Sequence, residues 1–334
     1  MTNPQDVLDA VGNTPLIRLR QASELTGCEI YGKCEFMNPG GSVKDRAAKY
    51  MLLDAIERGQ IEPGGIVVEG TAGNTGIGLT LAGNALGLNT RIVMPETQSE
   101  EKKSALRGMG AELITFPAVP YRNPENYVHQ ARRLAESLSS DHGVFYANQW
   151  DNPSNREGHV RSTAPEIWEQ TRGSLDGFIC AVGTGGTLAG VSLWMAERKP
   201  GVVIAAADPD GAGVYSWVKH GHMQSSGSSI TEGIGQNRVT GNLEGARIDD
   251  AFNIPDTELI PVLWDLIGTE GLYVGPSSAI NVAGAIRLGR ELGPGRTIVT
   301  ILCDSASRYA SRLFDREFLA SKNLPLPPWL TAAE

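Results

Sequence analysis

The chain has 334 residues, 41% hydrophobic and 20% charged, with a formal net charge of −9. That length and apolar share suffice for two domains with cores of their own, and the acidic balance excludes a basic surface for nucleic acid or an anionic membrane. No apolar run reaches the roughly eighteen residues of a membrane span, and Met1-Thr2-Asn3-Pro4-Gln5-Asp6 lacks the basic-then-apolar order of a secretory leader, so a cytoplasmic protein is expected.

In chain order, Val11 to Leu19 predicts a turn and a short strand. A strand-like run, Glu29 to Phe36, then leads into Asn38-Pro39-Gly40-Gly41-Ser42-Val43-Lys44-Asp45-Arg46 and a helical stretch from Ala47 to Ile56. Pro39 and the two glycines break the strand, and Ser42 is the expected N-cap. Lys44 thus falls in the first helical turn, where the positive dipole end disfavours a second positive charge. A lysine placed there is better held neutral, or condensed with an aldehyde, than left as a free ammonium.

Strands and helices then alternate. Gly65 to Glu69 is a strand, Gly76 to Leu86 a helix and Thr90 to Met94 a strand. The helix Glu100 to Gly108 carries Glu100-Glu101-Lys102-Lys103, read as a solvated face. Ala111 to Phe116, a helix from Glu125 to Leu138, and Val144 to Ala147 complete this half. The second half offers strands at Gly177–Val182, Val202–Asp208 and Thr297–Cys303, with helices at Leu188–Arg198, Asp256–Glu270 and Ile280–Leu292. A polar Ser/Gly-rich segment runs from His220 to Gly241, and the prolines of Leu324 to Pro328 suggest a tail draped on the surface or on a partner. Strand–loop–helix order throughout predicts an α/β protein with two open, twisted parallel sheets covered by helices on both faces.

Three loops carry chemistry. Gly183-Thr184-Gly185-Gly186-Thr187 joins a buried strand to a helix, so its N–H groups, two hydroxyls and the helix dipole suit a phosphate. It lacks the lysine of a P-loop, and Leu188 stands where a dinucleotide fingerprint needs its third glycine, which argues against a nucleotide. Thr71-Ala72-Gly73-Asn74-Thr75 has the same placement; a carboxylate can dock on its N–H groups and threonines, while Asn74 can meet a ring hydroxyl. The third, Cys303-Asp304-Ser305, ends a buried strand. No C-x-x-C spacing appears among Cys28, Cys34, Cys180 and Cys303, and the five histidines are scattered, so neither a disulfide nor a metal site is expected.

The pattern Asn-Pro-x-x-Ser-Val-Lys-x-Arg at Asn38–Arg46 resembles the Schiff-base lysine motif of the fold-type II pyridoxal-phosphate enzymes, the cysteine synthase and cystathionine β-synthase group. The resemblance runs from Gly12 to about Tyr309. It implies that Lys44 binds pyridoxal 5′-phosphate and later removes the substrate's α-proton. It further implies that Gly183 to Thr187 cradle the phosphate and Asn74 contacts the ring oxygen. Thr71 to Thr75, with Gln149, would bind the substrate carboxylate beside the glycine-rich Thr231-Glu232-Gly233-Ile234-Gly235. Asp304, with Ser305 as the alternative, aligns with the partner of the pyridine nitrogen. Two departures stand out: Ala72 where many members have serine, and Ala279 in Val274-Gly275-Pro276-Ser277-Ser278-Ala279 where glycine is usual.

By resemblance the chain forms a homodimer, with a smaller mobile domain (47–152) moving against a larger one (1–46 and 153–334). The implied reaction is replacement of the acetate of O-acetylserine by sulfide. O-Phosphoserine, serine with homocysteine, and cysteine desulfhydration remain open, as does a binding role for the carboxyl-terminal tail of serine acetyltransferase. No regulatory module after Glu334 and no haem-binding extension before Met1 are expected.

Overall fold

A computed structural model describes residues 6–331; all but Asp6 of the stretch read above for a leader lies outside the described residues. Among the described residues, ten strands form two sheets. They are β1 (Leu16–Arg18), β2 (Glu29–Cys34), β3 (Ile66–Gly70), β4 (Asn89–Pro95), β5 (Glu112–Phe116), β6 (Val144–Tyr146), β7 (Gly177–Ala181), β8 (Val203–Pro209), β9 (Asp250–Ile254) and β10 (Thr297–Leu302). The larger sheet runs β1-β2-β10-β7-β8-β9 and the smaller β5-β4-β3-β6. Every pairing is parallel except β1 with β2.

The central strands read as near-continuous apolar runs because helices cover both faces. β8 and β10 are buried over all but their first residue, whereas β5, at an edge, is largely open. Both sheets reverse winding direction once. In the larger one β8 and β9 extend to one side of β7 and β10 lies on the other; in the smaller, β4 and β5 lie on one side of β3 and β6 on the other. Ligands of open parallel sheets settle at the carboxyl ends of strands flanking such a reversal. In this chain those ends carry residues 182–187 and 303–305 in one sheet, and residues 71–75 and 147–149 in the other.

The helix Lys44–Glu57 joins the two halves. It crosses the helix Asn74–Ala85 closely, since a Cβ on Gly78 would lie 3.0 Å from Lys44 O and 3.2 Å from the Ala48 Cβ. Three helices begin earlier than their apolar patterns suggest, at Asn74, Gly186 and Pro276, because the turn is completed by the single residues Gly73, Gly185 and Gly275 ahead of them. Ala279 lies inside the last of these helices without positive φ, so the departure from glycine introduces no backbone strain. The tail lies on its own chain: Trp264 Nε1 donates to Pro325 O (2.9 Å), and the Trp329 ring meets Trp264 edge-on.

Candidate active site

Lys44 opens its helix, and its N–H donates to Ser42 Oγ (3.2 Å). Ser42 thus serves the helix start, but the residue in the capping position is Val43, already helical in conformation. The Val43 N–H donates to Cys303 O (3.0 Å), which ties the helix start to the end of β10. Beneath it lies an ion network. Arg46, fully buried, donates to Glu35 (2.7 and 2.8 Å) and Glu166 (2.7 and 2.8 Å), and Lys33 reaches Glu166 (2.6 Å). Burial alone would raise the Glu35 carboxyl, but Arg46 outweighs it and holds Glu35 at about 2. Strands and helix are therefore pinned together directly under the lysine.

At the end of β7, no residue of the Gly183-Thr184-Gly185-Gly186 turn except the threonine has room for a side chain. A Cβ would meet Gly233 O at 2.6 Å from Gly183, Leu243 at 2.6 Å from Gly185 and Asn155 Oδ1 at 2.2 Å from Gly186. Gly185, with φ +84°, also needs glycine's conformational freedom. The helix that starts at Gly186 leaves its first-turn amides without intrahelical acceptors, which is the setting for an anion. Asn155 donates to Thr184 Oγ1 (2.9 Å), and Thr187 Oγ1 sits 3.2 Å from His159 Nε2.

At the end of β3, Thr75 Oγ1 donates to Gln149 Oε1 (2.5 Å), and the Gly73 N–H donates to Thr71 Oγ1 (3.2 Å). Below the loop, burial pushes the Glu69 carboxyl up to about 8 against the opposing hydrogen bonds of Gln149, whose N–H donates to Glu69 Oε2 (3.4 Å), and of Asn148. Asn74 Nδ2 donates to Asp304 Oδ2 (2.6 Å) and its Oδ1 accepts from Arg308, which also donates to Gly40 O. Tyr309 donates to the same Asp304 oxygen (2.6 Å), and burial together with Asp304 raises its phenol well above the usual range.

These loops enclose a cavity of about 240 Å³ lined by Lys44, Thr71 to Thr75, Gln149, Thr184, Gly233 and Asp304. A small adjoining cavity is lined by Lys44, Gly183, Thr184, Gly185 and Thr187. Gly186 is behind the turn, at the helix start. Ser305 lines neither cavity; its Oγ accepts from the Ser307 N–H (3.3 Å) at the start of the next turn, so of the two residues offered for the pyridine nitrogen only Asp304 reaches the site.

The solvated face expected at Glu100–Lys103 is corrected by the structure. Lys102 is only 4% exposed and Lys103 8%. Lys102 lines the cavity, its stem lies 3.0 Å from where a Gly73 Cβ would stand, and its ammonium pairs with Glu232 and lies 4.8 Å from the Tyr309 ring centroid. Glu232 in turn accepts from Arg312 (2.6 Å). Ser277 was also missed as a site residue, as were Tyr127, Trp150, Cys303 and Tyr309. Ser277 sits in the first turn of the helix Pro276–Leu292, in a motif that the sequence showed without indicating which hydroxyl faces inward. Ser278 Oγ, beside it, accepts from the Cys303 N–H (2.8 Å). Burial pushes the Cys303 thiol up to about 12, which leaves it a neutral wall rather than a nucleophile.

An amine at a helix start, a glycine-rich turn opening a helix and a second loop of the same plan converge on one cavity, a setting suited to a phosphorylated aldehyde and an amino acid. Residues 7–304 match the family model described as pyridoxal-phosphate dependent enzyme. The chain belongs to that family. It is similar to cysteine synthase 1 of Neurospora crassa, at 53% identity over 94% of this chain and 84% of that one. Among solved structures it resembles the O-acetylserine dependent cystathionine beta-synthase of Helicobacter pylori, with TM-score 0.84 and 31% identity over 93% of this chain and 98% of the other. It also resembles an O-ureido-L-serine synthase, with TM-score 0.84 and 32% identity over 99% of this chain and 100% of the other. The expected fold-type II architecture and the pyridoxal-phosphate requirement therefore stand.

Proposed function

We propose that this enzyme is a cysteine synthase, replacing the acetate of O-acetyl-L-serine by sulfide to give L-cysteine. The observation that supports this most directly is the pairing of Lys44 with two anion loops across one small cavity, in a chain 53% identical to a cysteine synthase. Pyridoxal phosphate, when bound, supplies an aldehyde to capture the amino group and a conjugated ring that accepts electrons from the α-carbon. The turn Gly183–Thr187 holds its phosphate. Lys44 Nζ would hold the aldehyde and, as a free amine, would take the α-proton as general base.

The substrate carboxylate docks on the N–H groups of Ala72 to Thr75, on the Thr71 side chain and on Gln149, and Ala72 offers a methyl there in place of a hydroxyl. Asn74 would keep one amide hydrogen on Asp304 and offer the other to the ring hydroxyl. Asn74 and Tyr309 both donate to Asp304 Oδ2, so Asp304 would orient Asn74, while Ser277, which lines the cavity, would serve the ring nitrogen. A hydroxyl partner would leave that nitrogen largely neutral and the ring a weaker acceptor of electrons from the α-carbon.

The test is the visible spectrum of the purified enzyme, read with a cysteine assay. A yellow band that shifts on O-acetylserine and returns on sulfide, with one cysteine formed per acetate released, is expected. A band indifferent to O-acetylserine but responsive to serine with homocysteine moves the assignment to a cystathionine-forming reaction. On the same reading the enzyme is a cytoplasmic homodimer whose unit 47–152 closes on substrate. A peptide carboxylate from the tail of serine acetyltransferase competes at Thr71–Thr75, measurable as inhibition relieved by O-acetylserine.

A further inference from the structure

Behind the phosphate turn lies a line of polar groups that takes no part in the reaction above. His159 opens a five-residue π-type turn, His159–Thr163, of the kind that often marks functional positions. It is buried, with Nδ1 2.8 Å from Thr163 Oγ1 and Nε2 3.2 Å from Thr187 Oγ1. The helix Gly186–Arg198 passes over it at Gly190, where a Cβ would lie 2.5 Å from the His159 Cβ. Burial first, then the charge of Arg46, holds the imidazole near 3; Glu35 pulls the other way, Lys44 adds to the lowering, and Glu166 opposes it. The ring is neutral and carries one proton.

The geometry decides which nitrogen has that proton. Thr163 is fully buried, and the partner described for its hydroxyl is His159 Nδ1. A proton on Nδ1 would leave the Thr163 hydroxyl hydrogen without an acceptor and turn the Thr187 hydrogen inward onto Nε2, an unfavourable arrangement for a buried hydroxyl. A proton on Nε2 satisfies every group: Thr163 donates to Nδ1, Nε2–H donates to Thr187, and the Thr187 hydrogen is left for an acceptor in the turn. Thr184 is served in the same sense, since its Oγ1 accepts from Asn155 Nδ2 (2.9 Å) and from the Gly186 N–H (3.4 Å), leaving its own hydrogen free.

We propose that His159, fixed by Thr163 as the Nε2–H tautomer, is a positioning residue that aims the Thr187 hydroxyl at the cofactor phosphate. The proposal rests on Gly183–Thr187 being the phosphate seat, and the experiment separates the two. In holoenzyme labelled with ¹⁵N-histidine, the His159 resonances are expected to report Nε2–H and to stay constant through the range in which free histidine titrates. Thr163→Val is expected to weaken cofactor affinity roughly 3- to 10-fold, the loss of one oriented hydrogen bond, and to move the ³¹P resonance of the bound phosphate. His159→Gln, whose amide can still donate to Thr187, is expected to bind the cofactor more tightly than His159→Leu. An Nδ1–H resonance in the holoenzyme, or equal affinities for the Gln and Leu variants, overturns the proposal. Wild-type affinity in Thr187→Val overturns the phosphate seat instead.

Discussion

The two anion loops share one plan, strand end, glycine turn and helix start, yet they are held in opposite ways. The turn 183–187 is supported from behind by Asn155, His159 and Thr240, whose Oγ1 donates to Thr184 O (2.7 Å). Its glycines sit where side chains have no space. The loop 71–75 is held on its own half by Gln149, by the Thr71 N–H on Val93 O (3.0 Å) and by the Lys102 stem against Gly73, and it alone is also tied across the cavity, through Asn74 to Asp304 and Arg308. A group that stays bound through many turnovers benefits from a fixed seat. A substrate that comes and goes needs a loop whose contacts can be exchanged for it, and polar contacts across a cavity are exchangeable at small net cost.

Substitutions should separate the two. The largest effect is expected from Arg46→Met, which strands the buried Glu35 carboxylate beneath both loops. A loss of about 3–5 kcal/mol in unfolding free energy, measured by denaturant titration, accompanies such a broken pair. Stability within about 0.5 kcal/mol of the parent, the range of an innocuous surface change, would show that the network is not the common foundation. Next, Gly186→Ala forces Asn155 off Thr184. Overpacking of this kind costs about 1–3 kcal/mol, so cofactor affinity measured by absorbance titration should fall roughly 10- to 100-fold.

Gln149→Ala addresses the other loop. Removing a hydrogen bond to a charged carboxylate, about 1.5–3 kcal/mol, should raise KM for the amino-acid substrate roughly 10- to 100-fold while the yellow band is retained. A parallel loss of cofactor would erase the distinction between seat and loop. The effect of pH concerns Glu69, raised by burial to about 8. A carboxyl with a raised folded pKa binds its proton more tightly in the native state, so its contribution is full below the unfolded pKa and lost as pH rises toward 8. Wild-type stability should decline over that span by at most roughly 1.4 kcal/mol per pH unit from this group, and Glu69→Gln should flatten the decline. Identical pH profiles for the two proteins would rule Glu69 out.

The sheets were legible because parallel strands buried on both faces must be almost wholly apolar, as Phe178 to Val182 are, and because glycine turns mark their carboxyl ends. Lys44 and the two loops followed from that order. Lys102 did not. Four consecutive charges read locally as a solvated face, and only the segment 221–240, which has no regular structure of its own, brings Glu232 over to bury one of them. β9 escaped notice because Asp250 and Asn253 interrupt its apolar run at a sheet edge. His159 was one scattered histidine in a stretch broken by Pro153, Gly158 and Pro165, and its partner Thr187 lies 28 residues away. Ser277 and Ser278 are adjacent, and the choice between them depends on the rotation of one helix.

The helix Lys44–Glu57 carries in its first residue the amine that the proposed reaction uses and the strut Arg46 two residues on, one turned to the cavity and the other to the core. This ties the origin of the chemistry to the foundations of the fold, so drift in one is punished in the other. Change in what the enzyme accepts is therefore channelled elsewhere, into residues 71–75, 102 and 232, where replacements such as Ala72 can accumulate without unseating the lysine. A library aimed at new β-substituents would find its productive positions there.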